Sequence, residues 1–268
     1  MEFVLDVAAG RLVGEVSGAG PAVVLLHAGV ADRRMWNQVA PELAHDHQVV
    51  WFDARGFGES PPSTGPFLPA ADVLAVLDHL EVEAAHLIGA SMGGYVALDT
   101  AVAATARVSS LALLASGLPG WDFGPEVREY WRAESQALDR DEIDAVVELN
   151  LDFWVRGTGR PWSPRLRAVA DELRDPLRII ARNQAGGEDL EQGPDRPARD
   201  VLASIAVPAT VVVGENDAAD FVRIGEHLGA QLPAARLVRM ADTAHLPALE
   251  RPAQTLAILR EHLTYAAA

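Results

Sequence analysis

Hydrophobic and polar positions alternate along the chain in a way that predicts strands and helices in turn. Short apolar or alternating runs are typical of strands, and runs with apolar residues every three or four positions are typical of helices. The predicted strands are Phe3–Val7, Arg11–Ser17, Ala22–Leu26, Gln48–Phe52, Ala85–Ile88, Val108–Leu114, Val207–Val213 and Arg236–Met240. The predicted helices are Trp36–Leu43, Ala70–Leu80, Tyr95–Ala104, Phe221–Leu232 and Pro252–Leu263. This alternation predicts an α/β fold with a mostly parallel sheet of about eight strands flanked by helices.

The alternation stops after the sixth predicted strand. Pro125–Arg182 has helical periodicity, several aromatic residues and no strong strand signal, and the polar stretch Gly186–Asp200 is typical of a connector. Strand signals resume after this connector. We therefore predict an α/β core formed by residues 1–117 and 201–268, with residues 118–200 inserted as a helical cap.

Composition restricts the possible partners and chemistry. The chain has 22 basic and 38 acidic residues, and its net charge of −16 repels nucleic acid and anionic lipid surfaces. No apolar run approaches the ~20 residues of a membrane span, and no signal peptide is recognisable. The absence of cysteine excludes a thiolate nucleophile and disulfides. We expect a cytoplasmic protein with neither nucleic acid nor membrane as a partner, whose chemistry uses serine, histidine, carboxylates or backbone groups.

The stretch Gly89-Ala90-Ser91-Met92-Gly93 lies between a predicted strand and a predicted helix. A sharp strand-to-helix turn can present a serine hydroxyl at the sheet edge as a nucleophile. Such a turn strains the serine backbone and leaves no room for side chains two residues to either side, where this chain has Gly89 and Gly93. The pattern alone could also be an ordinary glycine-rich turn, so its context must decide.

Two later strand ends carry the partners that a serine nucleophile needs. Asp217 follows the strand ending at Val213, and His245 follows the strand ending at Met240. A histidine base would accept the serine proton, and a carboxylate would orient that base. Asp220 and Glu215 are alternative candidates for the acid.

In this order of nucleophile, acid and base, the chain resembles the α/β-hydrolase family. Three further segments support the resemblance: His27-Ala28-Gly29 is similar to the family's oxyanion loop, Asp53–Ser60 to its structural loop, and Ala244–Pro247 to its histidine segment. The family commonly has His-Gly at the start of the oxyanion loop, whereas here the glycine is displaced to Gly29. It often has His or Asn before the nucleophile, where this chain has Ala90.

The resemblance implies a serine hydrolase. Ser91 would attack an acyl carbonyl, His245 would carry the proton, Asp217 would orient His245, and the N–H groups of Met92 and Gly29 would hold the oxyanion. Residues around these groups are expected to contact the substrate: Ala28, Val30, Trp121, Trp154 and Leu246. The expected substrate is a small apolar carboxylic ester or lactone, hydrolysed through an acyl-enzyme, with no cofactor and no metal ion.

Other functions remain open from the sequence. The same residues could hydrolyse a carbon–carbon bond in a diketone-like substrate, or the pocket could serve a small-molecule receptor. His45 and His47 could suggest a metal site, but no further ligands lie near them in the sequence, and a solvated turn is the simpler interpretation. Arg55 and Asp53 could bind a substrate carboxylate, although an internal ion pair is favoured.

Overall fold

The computed structural model describes residues 1–184 and 190–267. These residues form one eight-stranded sheet with helices around it. The strands are β1 (Glu2–Val7), β2 (Gly10–Ser17), β3 (Ala22–Leu26), β4 (Gln48–Asp53), β5 (Ala85–Ala90), β6 (Val108–Leu114), β7 (Ala209–Gly214) and β8 (Ala235–Met240). Their spatial order is β1-β2-β4-β3-β5-β6-β7-β8. The β1–β2 and β2–β4 pairs are antiparallel and the remaining pairs are parallel. The predicted α/β architecture is confirmed.

The central strand β3 explains why the sheet is covered on both faces. All five of its residues are buried. Val24 and Leu26 belong to one apolar cluster, while Val23 and Leu25 belong to the other. Since successive side chains of a strand point to opposite faces, a strand between two helical layers must be apolar throughout.

Nine α-helices lie around this sheet in the described residues. They are α1 (Ala40–Leu43), α2 (Pro69–His79), α3 (Met92–Ala103), α4 (Pro125–Asp139), α5 (Ile143–Asn150), α6 (Pro164–Gln184), α7 (Ala219–Gln231), α8 (Pro247–Glu250) and α9 (Pro252–Ala266). Helices α2, α3 and α7 contribute to the apolar cluster that contains Val24, and α1 and α9 contribute to the cluster that contains Val23. None of the helices in this described part of the chain is long and apolar enough to cross a bilayer.

Two predicted boundaries differ from the structure because of prolines. Instead of one helix over Trp36–Leu43, the chain forms a 3₁₀ turn at Arg33–Trp36 and the short helix α1. Asp32 caps the 3₁₀ turn at its start. Pro41 has no N–H, so helical hydrogen bonds cannot continue from that turn through Pro41. Strand β7 begins after Pro208 rather than at Val207 for the same reason.

The helical segment after β6 fits the predicted cap. It contains α4, α5 and α6, and a π-helical turn, Leu151–Arg156, directly follows α5. The predicted connector Gly186–Asp200 lies partly outside the described residues, because residues 186–189 are among those not described. The boundaries of the cap at residues 118 and 200 stay a prediction.

Candidate active site

Ser91 occupies the turn between β5 and α3. Its backbone dihedrals are φ 50° and ψ −108°, a conformation that side-chain-bearing residues rarely adopt. The Ser91 N–H donates to the carbonyl of Leu114 at 2.9 Å, and the Ser91 carbonyl accepts from the Gly117 N–H at 3.0 Å. These bonds to the end of β6 and the loop after it hold the strained turn at the carboxyl edge of the sheet.

Glycines on both sides make this turn possible. A Cβ atom on Gly89 would collide with the carbonyl oxygen of Gly93, and a Cβ atom on Gly93 would collide with the carbonyl oxygen of Leu26. The helix α3 therefore approaches β3 and β5 more closely than any side chain at these positions would permit.

A hydrogen-bonded relay joins Ser91, His245 and Asp217. The Oγ atom of Ser91 lies 2.7 Å from Nε2 of His245, and Nδ1 of His245 lies 2.8 Å from Oδ2 of Asp217. His245 is 1% exposed and Asp217 is 5% exposed, whereas Ser91 is half-buried. Nδ1 donates to the carboxylate in this arrangement, which leaves Nε2 free to accept the Ser91 proton.

Backbone pairing beyond β7 and β8 brings the acid next to the histidine. The N–H of Glu215 donates to the Met240 carbonyl at 3.0 Å, and the N–H of Asn216 donates to the Thr243 carbonyl at 2.9 Å. Oδ1 of Asp217 accepts from the N–H of Ala218 at 2.8 Å. The two loops are thus an extension of the sheet, and the carboxylate is fixed at both oxygens.

A buried ion pair anchors the histidine loop to the cap. Oε1 of Glu250 accepts from the Ala244 N–H at 2.9 Å, and Oε2 pairs with Nη1 of Arg160 at 2.7 Å. Arg160 also donates to the carbonyl of Val155 at 2.8 Å, at the end of the π-helical turn. Burial raises the pKa of Glu250, and the Arg160 guanidinium opposes this shift. Arg160 therefore links the cap to the segment that carries His245.

His27 braces the loop that follows β3. Its Nδ1 lies 2.9 Å from the carbonyl of Ala28, and its Nε2 accepts from the N–H of Ala54 at 2.9 Å. Burial lowers the pKa of His27, although the Ala28 carbonyl and nearby aspartates oppose the shift. A neutral imidazole with its proton on Nδ1 satisfies both contacts and ties this loop to the end of β4.

Two backbone N–H groups beside Ser91 are available to an oxyanion. Within residues 1–184 and 190–267, the N–H groups of Met92 and Gly29 have no hydrogen-bond acceptor. Gly29 packs against Met92, since a Cβ built on Gly29 would lie 3.6 Å from the Met92 side chain. Met92 also begins α3, so the helix dipole favours negative charge at its N–H.

A cavity of about 310 Å³ opens beside Ser91 and His245 and extends under the cap. Aromatic rings cover His245 on two sides: the ring centroid of Trp154 lies 4.3 Å from that of His245, and the centroid of Phe221 lies 4.5 Å from it. The π-helical turn carries Trp154 to this position. The volume lies near the lower end of the range of ~300–1,000 Å³ for small-molecule sites, which suits a small substrate.

The predicted substrate contacts divide into two groups. Val30 and Trp154 line the cavity, together with the predicted oxyanion donors Gly29 and Met92. The other three predicted contacts, Ala28, Trp121 and Leu246, do not line the cavity. Ala28 and Leu246 are fully buried in an apolar cluster, and Trp121 packs on His227 at a centroid distance of 5.5 Å.

The alternative candidates for the acid lie elsewhere. Asp220 accepts from the Gly124 N–H at 2.9 Å and pairs with Arg223, so it fastens the start of the cap to α7. Glu215 is exposed and has no contact with His245 among the described residues. Of the three carboxylates, Asp217 is the one bonded to the imidazole.

The remaining polar candidates form internal contacts. Arg55 makes a buried two-point ion pair with Asp72 at 2.8 and 2.7 Å, and Asp53 accepts from the N–H groups of Arg33 and Glu59. Across the described ranges, no group of three or more histidine, aspartate or glutamate side chains could hold a metal ion. His45 is exposed at the helix-to-strand turn.

One polar cluster in the cap was not predicted from the sequence. Tyr130 and Glu134 on α4 and Asn150 at the end of α5 line the cavity together. The only local signal is the spacing of Tyr130 and Glu134, which places them on one face of a helix. Nothing in the sequence indicates that this face meets Asn150.

The family comparison agrees with the geometry. The model of the alpha/beta hydrolase fold family matches residues 21–252. A pimeloyl-[acyl-carrier protein] methyl ester esterase from Chromobacterium violaceum is 30% identical over 261 residues, 94% of this chain and 98% of the relative. The 3-oxoadipate enol-lactonase 1 of Acinetobacter baylyi is 26% identical over 243 residues, 89% of this chain and 86% of the relative.

A solved structure leads to the same family. The thermophilic esterase from Thermogutta terrifontis, with malate bound, is similar to this chain with a TM-score of 0.80 and 26% identity, and the likeness covers 99% of each chain. Both curated relatives and this esterase are enzymes of ester or lactone chemistry by name. The chain therefore belongs to the alpha/beta hydrolase fold family and is a hydrolase that acts on ester bonds.

Proposed function

We propose that the protein hydrolyses a small carboxylic ester or lactone with an apolar acyl group, through an acyl-enzyme on Ser91. The observation that carries this proposal is the continuous relay from Ser91 through His245 to Asp217, with contacts of 2.7 and 2.8 Å, at the mouth of a cavity. A serine needs a base to remove its proton, and the base needs a fixed orientation. All three groups meet at one sheet edge.

In the proposed first step, Oγ of Ser91 forms a bond to the acyl carbon while its proton passes to Nε2 of His245. The negative charge that develops on the carbonyl oxygen is held by the N–H groups of Met92 and Gly29. The C–O bond of the ester then breaks, and the leaving alkoxide takes the proton from His245. Asp217 stabilises the imidazolium throughout and keeps its own charge.

In the second step, water replaces the alcohol. His245 removes a proton from the water, the hydroxide oxygen bonds to the acyl carbon, and Ser91 leaves with the returned proton. The released acid and free Ser91 complete the cycle. In a lactone the leaving oxygen stays attached to the acyl chain, so the same steps give a single hydroxy acid.

The shape of the cavity supports a small apolar substrate. Leu177, Ile180 and Phe221 form apolar walls, and Trp154 covers the imidazole from the cap side. An apolar lining of this kind strengthens the electrostatic stabilisation of the oxyanion relative to open water.

The test is direct detection of the acyl-enzyme. The wild-type protein is mixed with a p-nitrophenyl ester in a rapid-quench experiment, and intact mass and peptide mass locate the added acyl group. We expect a burst of nitrophenol and an acyl adduct on the peptide that contains Ser91, and neither in Ser91→Ala. An adduct elsewhere, or turnover without any burst or adduct that persists in Ser91→Ala, would contradict the proposed mechanism.

A further inference from the structure

The far end of the cavity from Ser91 carries a carboxylate. Glu134 is half-buried on α4 and lines the cavity. A series of aromatic rings separates it from the relay: Trp154 covers His245, and the Tyr130 ring packs on Trp154 with a centroid distance of 5.2 Å. Beyond that ring, the Tyr130 hydroxyl lies 2.7 Å from Oε1 of Glu134.

Glu134 has no cationic partner in the described part of the chain. The ion pairs of α4 are formed by other residues, such as Glu129 with Arg132. No arginine lines the cavity, and the sequence of residues 185–189 contains no basic residue. Among the described lining residues, Glu134 is therefore the one carboxylate, and none is an arginine or lysine that could receive an anionic group.

The contacts of Glu134 leave hydrogen-bond acceptors unsatisfied. Oε1 accepts from Nδ2 of Asn150 at 2.6 Å, and Oε2 has no partner among the described residues. The Tyr130 hydroxyl lies 2.7 Å from Glu134 and 2.9 Å from Oδ1 of Asn150, but it has one proton to donate. Exchanging the oxygen and nitrogen of Asn150 would set its oxygen against the carboxylate, so the arrangement as described is favoured.

The donors of Tyr130 and Asn150 are used within the cluster and by the Val146 carbonyl, so Oε2 of Glu134 is left as an acceptor without a protein partner among the described residues. Asn150 is 4% exposed and Tyr130 is 6% exposed, whereas Glu134 is half-buried, so Glu134 is the accessible member of the cluster. Burial and the Glu134 carboxylate raise the pKa of Tyr130, so the Tyr130 hydroxyl keeps its proton and acts as a donor. A ligand that supplies a donor to Oε2 of Glu134 would replace water there with a charge-assisted hydrogen bond.

We propose that this cluster selects substrates whose acyl chain ends in a hydrogen-bond donor, an ammonium group above all, and rejects substrates whose chain ends in a carboxylate. This inference rests on the proposed function and refines it: the part of the acyl chain next to Ser91 stays apolar, and only its far end carries a polar group. An ammonium group would pair with the free Oε2 of Glu134, whereas a carboxylate would be desolvated against a like charge.

The test compares three methyl esters of equal chain length: methyl hexanoate, methyl ω-aminohexanoate and monomethyl adipate. Release of acid is followed in a pH-stat for wild type, Glu134→Gln and Glu129→Gln. We expect kcat/KM for the amino ester to exceed that for the adipate ester at least about tenfold in wild type. Glu134→Gln should reduce this ratio about tenfold.

The control variant separates the cluster from the overall charge. Glu129 lies on the same helix, exposed and paired with Arg132, and Glu129→Gln changes the net charge by the same amount. Its ratio should equal that of wild type. A wild-type ratio of one or below, or equal ratios in Glu134→Gln and Glu129→Gln, would overturn the inference while hydrolysis of methyl hexanoate leaves the proposed function standing. Failure of all three esters would overturn both.

Discussion

Two serines of this molecule lie against histidines, at opposite ends of the strands of its sheet. One is Ser91 with His245, at the carboxyl ends of the strands. The other is Ser110 with His262, where Oγ lies 2.8 Å from Nε2, close to the 2.7 Å of the first pair. Ser110 lies near the amino end of β6, and His262 lies on α9. The hydrogen bond is nearly the same, but the surroundings differ.

The second histidine lacks an acid. Nδ1 of His262 lies 2.9 Å from Oγ1 of Thr210, whereas Nδ1 of His245 meets the carboxylate of Asp217. Oγ of Ser110 also lies 2.7 Å from Nδ1 of His86. Burial, with His86 and Arg236 nearby, lowers the pKa of His262 to about 4. An imidazolium here would have no countercharge, so this histidine cannot store a proton during a reaction.

The two serines also differ in access. Ser110 is fully buried within β6, while Ser91 has a strained backbone and lines a cavity. A serine next to a histidine is therefore not enough to form a nucleophile. The carboxylate, the cavity and the free N–H groups of Met92 and Gly29 distinguish the first pair, and the second pair is a polar network inside the core.

Replacement of the two histidines should separate the pairs most strongly. We expect His245→Gln to lower kcat/KM by about 10⁴-fold or more, because no other group can take the Ser91 proton. His262→Gln should retain nearly normal turnover per folded molecule. Steady-state kinetics on one ester would measure both, and comparable losses in the two variants would contradict the distinction.

The acid of the first pair gives the next largest effect. Asp217→Asn should lower kcat by roughly 10³- to 10⁴-fold, since an amide cannot stabilise the imidazolium and favours the wrong tautomer of His245. Asp220→Asn is the matched control: it removes a neighbouring charge that fastens the cap to α7 but does not contact His245. If Asp220→Asn were the more damaging variant for kcat, Asp217 would not be the acid.

Replacing the two serines should affect stability in the opposite order, with the larger loss at Ser110 and the smaller at Ser91. Ser110→Ala leaves buried nitrogens of His86 and His262 without a partner, and we expect a loss of about 2 to 4 kcal/mol in the free energy of unfolding. Ser91→Ala should change it by less than about 0.5 kcal/mol, because His245 Nε2 faces the cavity and can bond water. Urea denaturation measures both values. Equal losses would mean that the core network does not stabilise the fold.

Acid should destabilise the protein through His262. The unfolded chain binds a proton at the ordinary histidine pKa of about 6.5, but the folded protein resists protonation until about pH 4. The contribution of neutral His262 to the free energy of unfolding is therefore fully present above about pH 6.5 and is lost as the pH falls towards 4. The loss between pH 7 and pH 5 should be about 2 kcal/mol. Urea denaturation midpoints at both pH values measure this loss. A weaker pH dependence in His262→Gln would assign the loss to His262, and an unchanged pH dependence would exclude His262 as its source.

Much of the sheet and the relay could be predicted because their signals are local. The apolar run of β3 and the glycines around Ser91 result from burial on both faces and from a strained turn, which each require particular residues at particular positions. The boundaries failed where proline intervened, as in the 3₁₀ turn at Arg33–Trp36 and at the start of β7. Proline removes a single hydrogen bond, and its effect depends on where the bond would have gone.

The lining of the cavity was the least predictable feature. Trp121 and Trp154 are the same residue type, and nothing in their sequence surroundings separates them. In the structure, the π-helical turn places Trp154 against His245, whereas Trp121 packs on His227. Leu246 follows His245 directly in the chain and is nevertheless fully buried away from the cavity. Side-chain direction in such places depends on packing partners from distant segments.

By itself, the sequence determined the α/β architecture and the order of Ser91, Asp217 and His245 at strand ends. Parallel strands carry their carboxyl ends to one edge, so residues at three such ends must approach one another. Only the tertiary structure decided which carboxylate meets His245 and where the cap sets Glu134 against Tyr130 and Asn150. Those contacts join helices and loops without any local pattern in common, and their geometry exists once the cap packs on the core.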